Sequence, residues 1–244
     1  MVGIDRQAPP LIVRRAVADD VSGIARVHVR SWQIAHRGHV PHAVLDSLDE
    51  AKRASRWGEL LEAPGHALQV AVCQGAMHPV AMSPVAMSPV AVSQGELLQG
   101  AVLHDAAVRS DAPQTATALY DNGAPHEGRD GPPAGTVVGF CSLIPTRDTD
   151  AESATGEVAA LYVSPERLRS GVGQALLQAC IDAARLRRYR AITLWVMTAN
   201  VAARCFYEKL GFVLDGACRV EERGSYSLTE VRYRLELPAP SERR

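Results

Sequence analysis

Three stretches of this sequence carry residue types that chemistry needs, at spacings that would let them act together. The first runs Leu161-Tyr162-Val163-Ser164-Pro165-Glu166-Arg167-Leu168-Arg169-Ser170-Gly171-Val172-Gly173 and passes directly into apolar periodicity from Gln174 to Arg188. The pattern predicts a buried strand, a turn ending in Gly-x-Gly, and a helix. Main-chain N–H groups then converge where the helix dipole is positive, an arrangement suited to phosphate. No Lys-Ser or Lys-Thr follows the second glycine, and the three-glycine dinucleotide pattern with its distant acidic residue is missing, so neither a P-loop nor a dinucleotide site is indicated. Glycines at a strand-to-helix corner also serve steric room alone, so the signal needs support from the rest of the chain.

That support follows the helix. Ala191-Ile192-Thr193-Leu194-Trp195-Val196-Met197 is rich in β-branched and large apolar residues and reads as a strand buried on both faces. Asn200, a short helix from Val201 to Lys209, and Leu210-Gly211-Phe212 come next. With these residues the chain resembles the GNAT superfamily of acetyl-CoA-dependent N-acetyltransferases, whose signature pairs a pyrophosphate loop with a downstream Asn…Phe-Tyr-x-x-x-Gly-Phe segment. The counterpart here is Asn200 followed by Cys205-Phe206-Tyr207-Glu208-Lys209-Leu210-Gly211-Phe212. The resemblance is specific over residues 136–217. It is looser over 11–73, where Ser31-Trp32 and Arg37-Gly38 are similar to bacterial members acting on small amines or peptides. One position departs from the family: three residues before Gly171, where Gln or Arg is usual, stands Leu168, with Arg167 and Arg169 on either side.

The resemblance implies an α/β protein with the GNAT acyl-CoA N-acyltransferase fold, a mixed, mostly antiparallel sheet flanked by helices on both faces. It also implies acetyl-CoA as co-substrate and a primary amine of a small molecule or peptide as acceptor, in a direct ternary-complex attack. Cofactor contacts are expected from Leu161, Tyr162 and Val163 on the strand, from Arg169, Ser170, Gly171, Val172 and Gly173 in the loop, and from Asn200 and Tyr207.

Acetyl transfer poses two proton problems. A lysine-like ammonium titrates near 10.4, so only roughly one molecule in 10³ to 10⁴ is nucleophilic at pH 7, and the leaving thiolate belongs to a thiol titrating near 8.5. Glu157, at the start of the strand leading to the loop, is the candidate base; the alternative is a solvated strand-edge carboxylate. Tyr207 is the candidate acid, against a reading as an amphipathic core tyrosine. Asn200 is expected to meet the pantetheine amide, to cap the helix beginning at Val201, or to do both at once. The main-chain N–H of Val163 is the candidate oxyanion donor. Trp32 and Arg37 are the candidate acceptor contacts, with core packing the other reading of Trp32. Cys205 reads as buried packing, which disfavours a covalent acyl-cysteine route.

Composition bounds these expectations. In 244 residues with a formal net charge of −1, nothing electrostatic calls for a nucleic-acid or membrane partner. Five cysteines without Cys-x-x-Cys spacing indicate neither a disulfide framework nor a zinc site and fit a reducing, cytoplasmic setting. His36, His39 and His42 share a spacing of three, but Pro41 interrupts them and no carboxylate or cysteine joins, so no metal is expected. A homodimer is left open.

The positioning elements can be laid out in order. A strand at Leu11–Arg14 leads to Asp19-Asp20 as a helix cap, with Val21, Ile24, Ala25 and His28 inward. A second helix is expected from about His42 to Leu61, with Val44, Leu48, Ala51 and Leu60 inward, and a second strand over Ala67–Cys73. Residues 74–134 change character, with one aromatic, Tyr120, and a five-residue repeat beginning at Pro79, Pro84 and Pro89. A proline every five residues opposes both helix and central strand, so this stretch reads as a low-complexity insertion in a single 1–237 domain. Strands are expected at Thr136–Ile144 and Gly156–Val163. The helix after the loop would present Val172, Ala175, Leu176, Ala179, Cys180 and Ala183 inward. Closing strands are expected at Phe212–Ala217 and Val231–Leu237, before a polar tail at 238–244. Two other readings remain: a noncatalytic acyl-CoA-binding regulator, and a protein-binding module acting through the repeat.

Overall fold

A computed structural model describes residues 11–73 and 135–238 of the chain. One seven-stranded sheet runs through them: β1 (Leu11–Arg15), β2 (Ala67–Cys73), β3 (Thr136–Pro145), β4 (Thr155–Val163), β5 (Ala191–Met197), β6 (Val213–Arg223) and β7 (Tyr226–Glu236), in the order β1-β2-β3-β4-β5-β7-β6. Every neighbouring pair is antiparallel except β4 and β5. The mixed, mostly antiparallel sheet therefore has the expected form.

Helices cover both faces. On one lie α1 (Val21–Ala35), α2 (His42–Asp46) and α3 (Glu50–Leu61), which bury Ile24, Trp32, Leu45 and Trp57 against Leu68, Phe140 and Tyr162. On the other lie α4 (Val172–Leu186) and α5 (Val201–Lys209), whose Leu176, Leu177, Cys180 and Tyr207 pack on Cys141, Leu161, Leu194 and Tyr233. Alternation along the strands explains the two cores, since successive side chains of β3 and β4 point to opposite faces. Close approach of α4 depends on Gly139: a Cβ there would lie 2.9 Å from the Leu176 side chain and 2.9 Å from the Tyr162 carbonyl. The inward stripe of α4 is rotated from the expected one, with Leu177, Ile181 and Ala184 buried where Ala175, Ala179 and Ala183 are only partly so. Leu177 and Ile181 win buried positions over Ala175 and Ala179 because they remove more apolar area from water, and Ala184 follows on the same face.

Two boundaries correct the sequence reading. The helix expected over 42–61 is two helices, because Asp49 turns its carboxylate to the N–H groups of Ala51 and Lys52, at 2.7 and 3.1 Å, and starts α3 afresh. Ala51 is exposed as a result, while Leu45 and Trp57 carry the packing. The closing strands are longer than expected and form a hairpin in which Arg223 pairs with Tyr226 around Gly224 and Ser225. Gly224, at φ 59°, supplies the left-handed conformation such a two-residue turn requires. The proposed insertion, 74–134, lies outside the described residues; its flanks, Cys73 and Thr136, are register partners across β2 and β3.

A buried histidine makes this fold sensitive to acid. His66, entering β2, bonds the Leu60 carbonyl through Nδ1 and the Ser142 hydroxyl through Nε2, both at 2.5 Å. Burial foremost, with the nearby Arg187 and Arg56 charges, lowers its pKa below 6.5 against the raising effect of the Leu60 bond. Below about pH 6.5 the unfolded chain therefore binds a proton that the folded chain refuses, and stability drops as pH falls toward the folded pKa, by at most about 1.4 kcal/mol per pH unit. Chemical denaturation at pH 8 and pH 5.5 should show a larger acid loss in wild type than in His66→Gln. Equal losses would place the sensitivity elsewhere.

Candidate active site

The site begins where two strands part. β4 and β5 are in register only at Thr155–Ala191, Gly156–Ile192 and Glu157–Thr193. From Val158 onward β4 has no β5 partner, so main-chain groups on that edge face a gap. Their direction follows from the β3 ladder. Ser164 donates its N–H to the Val138 carbonyl at 2.8 Å, and alternation along an antiparallel pair turns the N–H and C=O of Val163 away from β3. The Val163 carbonyl accepts the Ser31 hydroxyl of α1 at 3.0 Å, which fixes that peptide.

The phosphate loop lies at the end of β4. Gly171, the N-cap of α4, has φ 83°, and Arg169 is left-handed at φ 60°. No side chain caps α4, so the N–H groups of Val172, Gly173 and Gln174 are left as donors at the positive end of the helix. Ser170 donates its hydroxyl to the Arg167 carbonyl at 2.6 Å and holds the turn. A cleft of about 380 Å³ opens between this loop and α5. Leu161 and Val163 form its strand side, and Arg169, Gly171 and Gly173 stand on its loop side with Arg167, Leu168 and Gln174, whereas the side chains of Ser170 and Val172 do not line it; Tyr207 stands on its α5 side with Cys205, Phe206 and Lys209.

Within the cleft, Tyr207 is fully buried and its hydroxyl has no hydrogen-bond partner. A buried donor without a partner costs about 1–3 kcal/mol, and that cost is removed if a ligand atom reaches it. Burial chiefly, then Cys141 and Tyr162 nearby, pushes its pKa well above the usual 10, so the phenol keeps its proton at neutral pH. Asn200 caps α5 through Oδ1, accepting the Ala203 N–H at 3.0 Å, which fixes the turn of helix presenting Tyr207.

The remaining candidates are placed elsewhere. Tyr162 sends its ring to the opposite face, stacked on His28 with centroids 4.7 Å apart, and only its main chain belongs to the gap. Glu157, 1% exposed, is held by Arg147 through its main-chain N–H and Nε, both at 3.1 Å, and through Nη2. Trp32 lies in the α1-side core, stacked on His36 at 3.9 Å, while Arg37 is exposed on the turn after α1. His36 is buried and bonds the Trp32 carbonyl, whereas His39 and His42 are exposed. Among the described residues no three His, Cys, Asp or Glu side chains gather as a metal site, and no helix is long and apolar enough to cross a membrane.

The cleft residues that were not among the expected contacts include three with charged or nucleophilic side chains. Arg167 lines the cleft with Nε buried and unpartnered, and Nη2 lies 2.6 Å from Cys73 Sγ. Lys209 lines it one α5 turn beyond Cys205. Cys205, expected to be buried, is exposed there. The signal for Arg167 was the displaced arginine beside Leu168. Leu168 itself packs against the core and also lines the cleft.

Comparisons with known proteins agree with this fold. Residues 102–212 match the model described as the Acetyltransferase (GNAT) family. It is 39% identical over 80 residues to a mycothiol acetyltransferase from Thermobispora bispora, covering 32% of this chain and 27% of that protein. It is 32% identical over 97 residues to an uncharacterized N-acetyltransferase from Methanocaldococcus jannaschii, covering 38% and 42%. The chain thus spans about a quarter to two-fifths of the length of these curated relatives. Among solved structures, the fold is similar to PaiA N-acetyltransferase from Thermoplasma acidophilum in complex with coenzyme A, at 14% identity and TM-score 0.53 over 91% of this chain and 98% of that one. It is also similar to an N-acetyltransferase from Staphylococcus aureus, at 16% identity and TM-score 0.56 over 93% and 98%.

Two glycines separate backbone strain from ligand contact. A Cβ on Gly171 would meet nothing within 4 Å, so Gly171→Ala is opposed only by its left-handed backbone, at about 1–2 kcal/mol. A Cβ on Gly173 would touch Phe206 at 3.5 Å and Val163 at 3.6 Å, ordinary contacts, while standing on the cleft wall. Gly171→Ala should lower the melting temperature. Gly173→Ala should leave it within a degree or two and weaken coenzyme A binding at least tenfold by calorimetry. Unchanged affinity in Gly173→Ala would contradict this use of the loop.

Proposed function

We propose that this protein is an N-acetyltransferase that moves an acetyl group from acetyl-CoA to a primary amine of a small molecule or peptide, by direct attack within a ternary complex. The observation that carries the reading is the unpartnered, fully buried Tyr207 hydroxyl in a cleft that also holds an uncapped helix N-terminus. Acetyl-CoA, when bound, supplies the activated thioester.

The residues fit that group. Val172, Gly173 and Gln174 would hold the diphosphate through main-chain N–H groups, which do not depend on side-chain identity. Arg167 and Arg169 would add charge where Leu168 cannot. Val163, with its N–H turned into the gap, would polarise the acyl carbonyl. Tyr207 would deliver its proton to the leaving sulfur, and its raised pKa keeps that proton in place beforehand. Glu157 would accept the amine's proton. In the present arrangement it is paired with Arg147, whose side chain is 38% exposed. Residues 1–237 form one domain in this reading, with 74–134 inserted, and Trp32 and Arg37 stand on the α1 side from which an acceptor would approach.

Tyr207→Phe removes only the oxygen, so stability should be kept or slightly raised while kcat falls about 100-fold. An unchanged kcat would remove Tyr207 from the chemistry. Glu157→Gln should lower kcat about 100-fold. A lowered melting temperature with kcat retained would leave Glu157 as a clasp on Arg147 and nothing more. Release of free thiol from acetyl-CoA across a panel of amines tests the whole reading, since a noncatalytic acyl-CoA-binding regulator would bind and release none.

A further inference from the structure

Three of the five cysteines, Cys73, Cys141 and Cys180, are buried, and two, Cys205 and Cys218, are exposed. Of the exposed pair, Cys205 lines the cleft. On α5 the residues Ala202, Cys205, Phe206 and Lys209 follow one another at i, i+3, i+4 and i+7, a single helical stripe, and all four face the cleft. Across from that stripe stand Arg167, Arg169 and the uncapped first turn of α4. The Tyr207 hydroxyl, fully buried and unpartnered, lines the same cleft and marks it as a ligand site independently of the thiol.

We infer that Cys205 is a covalent modification site at which a phosphate-bearing disulfide, the disulfide form of coenzyme A, couples to the protein and closes the cofactor cleft. This rests on reading the cleft as a coenzyme A site. The Cys205 thiolate attacks one sulfur of the disulfide, forming a new S–S bond to one coenzyme half. The original S–S bond breaks, and the other half leaves as a thiolate that takes a proton from water. The incoming disulfide is itself the oxidant, so no further electron acceptor is required.

Selectivity comes from placement. Arg167, Arg169 and Lys209 line the cleft, and a cleft lined by one sign of charge raises the local concentration of an oppositely charged reactant. Cys218, on the edge strand β6, is also exposed but is not among the residues lining this cleft. The adduct occupies the cleft until a thiol reduces it, which makes the block reversible.

The test incubates folded protein with coenzyme A disulfide and follows intact mass and peptide maps, with and without saturating desulfo-coenzyme A, which binds but carries no thiol. The expected result is one adduct, on Cys205. It should form at least tenfold faster than on Cys218 and at least tenfold faster than with the neutral 2-hydroxyethyl disulfide. Desulfo-coenzyme A should suppress it, dithiothreitol should remove it, and Cys205→Ser should not form it. Comparable labelling of Cys205 and Cys218, or labelling indifferent to desulfo-coenzyme A, overturns the inference. Calorimetry of Cys205→Ser with desulfo-coenzyme A separates the two levels. Binding there without preferential labelling of Cys205 in wild type defeats this inference alone, whereas absent binding defeats the cleft reading as well.

Discussion

Everything in this site depends on the separation of β4 from β5 after three residue pairs. A sheet normally satisfies its main-chain groups with a neighbouring strand, and unpaired groups on an interior strand are costly. Here the cost is confined to one edge of β4, from Val158 to Val163, and the gap is bounded by α5 on one face and α1 on the other. The same divergence gives the Tyr207 ring a place to enter and leaves its hydroxyl without a partner. A β5 paired along its full length would fill the gap and remove the site.

The walls of the gap are held by polar contacts as well as by the two cores. Arg232 on β7 pairs with Asp148, Asp150 and Asp215 at 3.1, 2.7 and 2.6 Å, joining the turn between β3 and β4 to β6 and β7. Trp195, opposite Arg232 in the β5–β7 register, donates its Nε1 proton to Asp148 at 3.1 Å and has Arg219 over its ring at 4.1 Å. Arg147 and Glu157 join the same turn to β4. Several of these groups are largely removed from water, where breaking one partner costs more than the pair contributes. They act as fixings for strands that main-chain hydrogen bonding no longer holds together.

Sequence reading reached the strands and helices whose apolar periodicity is unambiguous, including β4, α4, β5 and α5, and placed the Gly-x-Gly turn and Tyr207 where the structure has them. It failed where a local polar bond overrides periodicity. Asp49 divides a segment whose apolar spacing looks continuous, and its capping bonds depend on a side-chain rotamer that a hydropathy pattern does not contain. The β6–β7 hairpin was shortened because edge-strand exposure replaces apolar residues with Arg and Glu, although Gly224-Ser225 carried a turn signal. The exposure of Cys205 could not be read from spacing on so short a helix, because its face toward the cleft is set by how Tyr207 and Ala203 pack beneath it. The unsatisfied Tyr207 hydroxyl is likewise a property of packing and not of order along the chain.

The central claim is that this gap and the turn at Gly171 together hold one molecule of coenzyme A, with its sulfur at Tyr207. A crystal structure of the protein grown with coenzyme A tests it most directly. The account predicts diphosphate density against the N–H groups of residues 172–174 and the thiol within hydrogen-bond reach of the Tyr207 oxygen. Coenzyme density elsewhere on the molecule, with the Tyr207 hydroxyl still lacking a partner, would contradict it.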